Sequence, residues 1–135
     1  MAVAASTAFD FKNLHPYVDY FNLMTYDHSI GDTNAYHHSS LYSGKYAHTS
    51  VNSAVSKLIG WGVPTNKIII GAAFYARTSA FSSKEQAKLG GKLTQALTQT
   101  YSYTKIEEGI KNGTYVEMFD EEIIRDNKKI KRFVR

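Results

Sequence analysis

Two apolar runs in the first half of the chain flank one segment of helical period. The first, VDYFNLMTY from Val18 to Tyr26, is rich in aromatic and β-branched residues and short for a helix, which predicts a buried strand. The second, from about Lys67 to Phe74 within NKIIIGAAF, predicts another. Between them Val51, Ala54, Val55, Leu58 and Ile59 recur on one helical face behind a Thr49 or Ser50 cap, and Gly60 and Gly62 close the helix. Strand, amphipathic helix and strand make a βαβ unit, and strands buried on both faces belong to parallel sheets. Upstream, Ala2 to Ala5 is a short strand-compatible patch, and Asp10 caps a turn of helix that Pro16 ends.

The polar segment from Asp27 to Thr49 reads as a long loop, and loops of that length inside compact domains are usually functional. After Arg77 the pattern changes to short alternating pieces, a helix at about Thr104 to Lys111, a turn at Asn112 to Thr114 and a half-exposed strand at Tyr115 to Asp120. This part reads as a small α+β appendage. Both apolar runs end in aromatic and polar residues, Tyr26–Asp27 and Tyr75–Arg77, and the carboxyl ends of strands are where α/β folds bind ligands.

Composition narrows the field without naming a function. The chain has 135 residues, one domain's worth, with 43% hydrophobic and 13% aromatic residues as in globular proteins. Its ten tyrosines fit half-buried strand positions and sugar-holding surfaces equally well. Much of the net charge of +4 lies in the tail, at Arg125, Lys128, Lys129, Lys131, Arg132 and Arg135. No helix-turn-helix, RNA-binding or metal-finger pattern accompanies that tail, so no nucleic-acid partner is expected. The absence of cysteine excludes disulfides, thiolate metal sites and a cysteine nucleophile, and identifies no compartment. No apolar run reaches the ~18–20 residues of a membrane span, and MAVAASTAF lacks the basic region of a signal peptide. His28, His37, His38 and His48 show no metal-ligand spacing such as H-E-x-x-H. They are read as loop structure or substrate-rim contacts, and neither metal nor cofactor is expected. Trp61, beside the helix-closing glycines, is read as a packing residue, and Asn112-Gly113-Thr114 as a turn although it matches a glycosylation pattern.

The order of these pieces resembles glycoside hydrolase family 18, the chitinases and their relatives. Met24, Thr25, Tyr26 and Asp27 match the M-T-Y-D of that family's sixth strand. Gly71, Phe74, Tyr75 and Arg77 match the G-x-P/A-F-Y-G-R of its seventh, with Ala76 in place of the usual glycine. HHSSLY, His37 to Tyr42, is similar to the loop after the sixth strand, and the initial apolar patch to the fifth strand. The resemblance implies an α/β fold, a partial (βα)8 TIM barrel of about strands five to seven over residues 1–78, with a small α+β insertion over residues 79–135. A complete barrel needs about 250 residues. The D-x-x-D-x-D-x-E motif that supplies the family's catalytic acid does not occur here.

Family 18 enzymes depart from the two-carboxylate scheme, because the 2-acetamido group of the substrate is the nucleophile. The resemblance therefore implies catalytic roles for Tyr26, donating to the acetamido oxygen, and Asp27, binding hydroxyls and setting the local field. It implies substrate contacts for Met24, Tyr75 and Arg77, with Met24 and Tyr26 sharing a face by period-two alternation. The implied partners are chitin or N-acetylglucosamine oligosaccharides, and the implied parent enzyme is secreted or extracellular. Without its acid the chain is expected to be inactive alone, and open barrel edges are expected to favour self-association. Two other readings stay open: a non-catalytic oligosaccharide-binding protein, and a structural subdomain whose exposed sheet edges pair with another chain; for Tyr26–Asp27 itself the plain alternative is a buried tyrosine followed by a helix or turn cap.

Overall fold

A computed structural model describes residues 1–115, 118–125 and 128–134 of the chain. Three short parallel strands form the first sheet in the order β1 (Ala2–Val3), β2 (Phe21–Leu23), β3 (Ile68–Ile70). Helix α1 (Phe11–Leu14) lies in the first crossover, where the Asp10 side chain accepts the Asn13 amide at 3.2 Å and caps it. Pro16 does not end the chain's helical path there; its fixed φ suits the start of a 3-10 turn, His15–Tyr17, that continues it.

Helix α2 (Val51–Gly60) makes the second crossover. Ser50 caps it reciprocally, its hydroxyl accepting the Ser53 amide at 3.1 Å while the Ser53 hydroxyl accepts the Ser50 amide at 2.9 Å. Gly62, at φ +89°, takes the left-handed turn after the helix, a conformation that disfavours any side chain. Ala54 and Leu58 of α2 pack on Val3, Phe21 and Leu23 of the sheet, and Phe11 of α1 completes this core. Trp61 stacks on Phe11 with ring centroids 5.4 Å apart and planes 5° from parallel, so its role in packing is explicit.

The apolar runs outlast the regular ladders. Residues 18–26 read as one strand, but the paired stretch of β2 is Phe21–Leu23, because β1 offers two partners and β3 three. The second run pairs over Ile68–Ile70 and leaves the ladder at Gly71. Its predicted burial on both faces is also corrected: Ile69 is 46%, Ile70 53% and Phe74 75% exposed. β3 is an edge of the sheet among the described residues, and α2 covers one side only, so an all-apolar sequence is left half in solvent. Lys67 anchors that edge, its Nζ donating to the carbonyls of His15 at 2.7 Å and Val18 at 2.8 Å.

Beyond Phe74 the architecture changes to antiparallel pairing. β4 (Tyr75–Thr78) pairs with β5 (Gln99–Ser102), bringing Arg77 opposite Thr100. Helix α3 (Tyr103–Lys111) follows directly, with the Ser102 hydroxyl accepting the Lys105 amide as its cap. A hairpin of β6 (Met118–Arg125) and β7 (Lys128–Val134) ends the described chain. Of the basic tail, Arg125 ends β6 and Lys128, Lys129, Lys131 and Arg132 lie in β7, whereas Val116, Glu117, Asp126, Asn127 and Arg135 lie outside the described residues.

Candidate active site

The site grows out of the carboxyl ends of the parallel strands. Past β2 the chain keeps the alternation of a strand: Phe21, Leu23 and Thr25 face inward and are buried, while Asn22 and Met24 face out on the side that carries half-buried Tyr26. Two contacts hold this extension against the chain after β3. The Gly71 amide donates to the Leu23 carbonyl at 2.9 Å, and the buried Thr25 hydroxyl donates to the Gly71 carbonyl at 2.6 Å. Gly71 is needed here for space: a Cβ would stand 2.9 Å from Tyr26 Cε1 and 3.0 Å from the Leu23 oxygen. The Tyr26 ring rests where a side chain at position 71 would be.

Asp27 turns the chain away at φ +62°, a left-handed conformation that Asp tolerates better than most residues. Its carboxylate enters the fork of Arg77, with Nε donating to Oδ1 at 2.7 Å and Nη2 to Oδ2 at 2.6 Å. The remaining Arg77 donor, Nη1, reaches Thr100 Oγ1 at 2.6 Å and the Thr98 carbonyl at 3.3 Å. The side chains of Asp27 and Arg77 are only 26% and 17% exposed. Arg77 therefore links the end of the parallel sheet to the antiparallel one.

Tyr75 fills the space beside this pair. Its ring meets the Tyr26 ring edge-on at 6.0 Å, the His38 ring at 5.3 Å and the Arg77 guanidinium at 5.2 Å. His38 comes from the loop after β2; its Nδ1 lies 3.4 Å from the Asp27 amide and its Nε2 3.2 Å from the Tyr75 carbonyl.

Proton affinities follow from these contacts. The Arg77 hydrogen bonds hold the Asp27 carboxyl below the usual carboxylate range against the opposing effect of burial, with Tyr75 and His38 acting in the same direction as Arg77. The same hydrogen bonds to Asp27 raise Arg77. Burial raises the Tyr75 phenol, and the neighbouring Asp27 carboxylate adds to that. Burial lowers both His28 and His38, which favours the neutral imidazole in each, and His28 Nε2 is buried with no hydrogen-bond partner among the described residues.

All five residues singled out in the sequence, Met24, Tyr26, Asp27, Tyr75 and Arg77, lie at this one end of the sheet. Tyr26, Asp27, Tyr75 and Arg77 form a connected group, while Met24, 39% exposed, flanks Tyr26 along the strand. Three further participants were not legible: His38 as a bridge, and Thr98 and Thr100 as partners of Arg77. The threonines carry no sequence signal, since only the β4–β5 register brings them to Arg77. Among the described residues no group of three His, Cys, Asp or Glu side chains converges as a metal site.

The family model for glycosyl hydrolases family 18 matches residues 1–132. Mouse chitotriosidase-1 is 34% identical over 83 residues, covering 57% of this chain and 18% of its own length. Chitinase C of Streptomyces lividans is 31% identical over 100 residues, covering 70% of this chain and 16% of its own. The chain thus spans less than a fifth of the length of either relative. A mutant of the family 18 chitinase of Cycas revoluta, solved in complex with (GlcNAc)4, superposes with a TM-score of 0.75 at 18% identity over 88% of this chain and 37% of its own. That likeness gives the fold: the parallel strands and their crossover helices correspond to part of a TIM barrel.

Proposed function

The chain belongs to glycosyl hydrolase family 18, and from that premise we propose that it carries the substrate-holding part of a chitinase-like site for β-1,4-linked N-acetylglucosamine. In this reading residues 1–78 supply about strands five to seven of a barrel and residues 79–135 an insertion. The observation that carries it is the connected group of Tyr26, Asp27, Tyr75 and Arg77 beside Met24, at the carboxyl end of a parallel sheet. The (GlcNAc)4 bound to the Cycas revoluta enzyme supports the choice of ligand.

Each group has a part in substrate-assisted, retaining hydrolysis. The Tyr26 hydroxyl donates to the acetamido oxygen and turns it toward the anomeric carbon. Asp27, held ionised by Arg77, presents negative charge to the oxazolinium ion that forms when that oxygen attacks. Arg77 fixes the carboxylate bidentately, and Tyr75 and Met24 pack beside the sugar ring. Departure of the aglycone needs a general acid, and the D-x-x-D-x-D-x-E motif that brings one is absent from these 135 residues. The chain alone therefore binds oligosaccharide and does not turn it over. The exposed Ile69 and Ile70 edge favours self-association of this isolated chain, which sedimentation across a concentration series tests.

Calorimetric titration with a chitin oligomer tests the binding reading. Measurable heat, diminished in Tyr26→Phe, is expected, together with no release from a chromogenic N-acetylglucosamine oligomer. A non-catalytic oligosaccharide-binding protein gives the same result in the chain alone, and is separated from a chitinase by supplying the acid-bearing strand in trans. Absence of heat leaves only a structural role. Turnover by the chain alone that is lost in Tyr26→Phe would overturn the division of labour stated here.

A further inference from the structure

We propose that His38 is a positioning residue whose neutral imidazole fastens the left-handed Asp27 to the backbone of β4 and thereby sets the Asp27–Arg77 pair. The consequence for sugar binding rests on the function proposed above; the positioning role does not.

The two ring contacts fix the chemistry of the imidazole. The Asp27 amide can only donate, so Nδ1, 3.4 Å away, must present a lone pair. The Tyr75 carbonyl can only accept, so Nε2, 3.2 Å away, must carry the proton. Both are satisfied together by one species, the neutral Nε2–H tautomer. Burial of the ring favours that neutral form. With one nitrogen donating and the other accepting, no lone pair remains to take a proton from substrate, which separates this role from acid–base catalysis.

The backbone of the same residue reinforces the clasp. The His28 amide donates to the His38 carbonyl at 3.0 Å, so main chain and side chain of His38 hold consecutive amides at the strand's exit. One of these belongs to the residue with φ +62°, which needs such support because its conformation is unfavourable for a residue with a side chain. On the other side, Tyr75 lies two residues before Arg77 on β4, so fixing its carbonyl fixes the strand that carries the guanidinium. Protonation of Nδ1 would break the bond from the Asp27 amide. It would also set a cation 3.7 Å from Asp27 Oδ1, in competition with Arg77. The charged and titratable groups facing the ring are Asp27 and His28 at the exit of β2, Arg77 and Tyr75 from β4, and His37 beside it.

The test uses the full chain with 15N-labelled histidine and arginine. The wild type should show His38 as the Nε2–H tautomer, staying neutral to a lower pH than a free imidazole, and a slowly exchanging Arg77 Nε–H. His38→Phe, which keeps ring volume against Tyr75, should lose that protection and weaken (GlcNAc)4 binding roughly tenfold. His38→Asn, which keeps an acceptor for the Asp27 amide, should recover part of both. An imidazolium or the Nδ1–H tautomer at neutral pH overturns the proposal, as does unchanged Arg77 protection in His38→Phe. If His38→Phe fails to fold, the wild-type tautomer and His38→Asn decide the matter. If the wild type binds no (GlcNAc)4 while tautomer and protection behave as stated, positioning stands and the sugar reading falls.

Discussion

Replacing Gly71 by Ala adds one methyl group at the point where the Tyr26 ring crosses the end of the sheet. Gly71 has no left-handed backbone angle, so the substitution should by itself stabilise the chain by about 0.4–1 kcal/mol through a less flexible unfolded state. The structure opposes this with two contacts, 2.9 Å from Tyr26 Cε1 and 3.0 Å from the Leu23 carbonyl oxygen. Carbon atoms rest about 3.5–4.0 Å apart, so the ring must retreat by roughly 0.6–1 Å. The second contact is with main chain, and the Leu23 oxygen is already held by the Gly71 amide at 2.9 Å, so it yields less easily. Overpacking of this kind costs about 1–3 kcal/mol, which exceeds the entropic gain. In a urea titration, a net loss of about 1–2 kcal/mol at a slope near 2 kcal/mol/M lowers the midpoint by roughly 0.5–1 M. In a Tyr26→Ala background the ring contact is gone and only the carbonyl remains, so the same change should cost less by about 0.5 kcal/mol or more. A midpoint that rises in Gly71→Ala, or an equal cost in both backgrounds, refutes the placement of Tyr26 over Gly71.

Ser50→Ala removes the acceptor for the Ser53 amide and a 3.0 Å contact with the Ser43 hydroxyl, and should cost about 0.5–2 kcal/mol in chemical denaturation. Phe11→Ala empties the centre of the core and the face on which Trp61 stacks. Its cost of about 3–5 kcal/mol is comparable with the whole stability of a small domain, so loss of the cooperative thermal transition is expected. Acid should destabilise in two stages. His28 and His38 have lowered folded-state proton affinity, so the unfolded chain binds more protons from about pH 6.5 downward and stability falls there. Asp27 is also lowered, so its contribution is complete above about pH 4 and is lost as pH drops further through its folded value. Stability measured across pH 7 to 2 should show the lower stage flattened in Asp27→Asn, and a single stage in the wild type contradicts the assignment.

What the sequence disclosed was what local chemistry determines. Ser50 and Gly62 bound α2 by capping and by a left-handed turn, and both signals act within a few residues. M-T-Y-D was legible at the end of a strand because an apolar run stops there on polar and aromatic residues, whereas F-Y-A-R, read the same way, leads into β4 and does not end β3. The exposure of Ile69 and Ile70 was not legible, since an isoleucine run states a preference and only neighbouring elements satisfy it. Nor was the use of Arg77, because its Thr100 partner arrives through a register set across an irregular stretch between β4 and β5. The His38 clasp was hidden for the same reason: adjacent histidines in a polar loop do not reveal which one the loop folds back onto Asp27.

The central question for this chain is whether the end of the parallel sheet holds N-acetylglucosamine units. An NMR titration of the 15N-labelled full chain with (GlcNAc)4 measures this directly. Saturable shift changes are predicted at Met24, Tyr26, Asp27 and Tyr75, weakened in Tyr26→Phe. No saturable change, or changes confined to the opposite end of the sheet around Phe11 and Trp61, would contradict it.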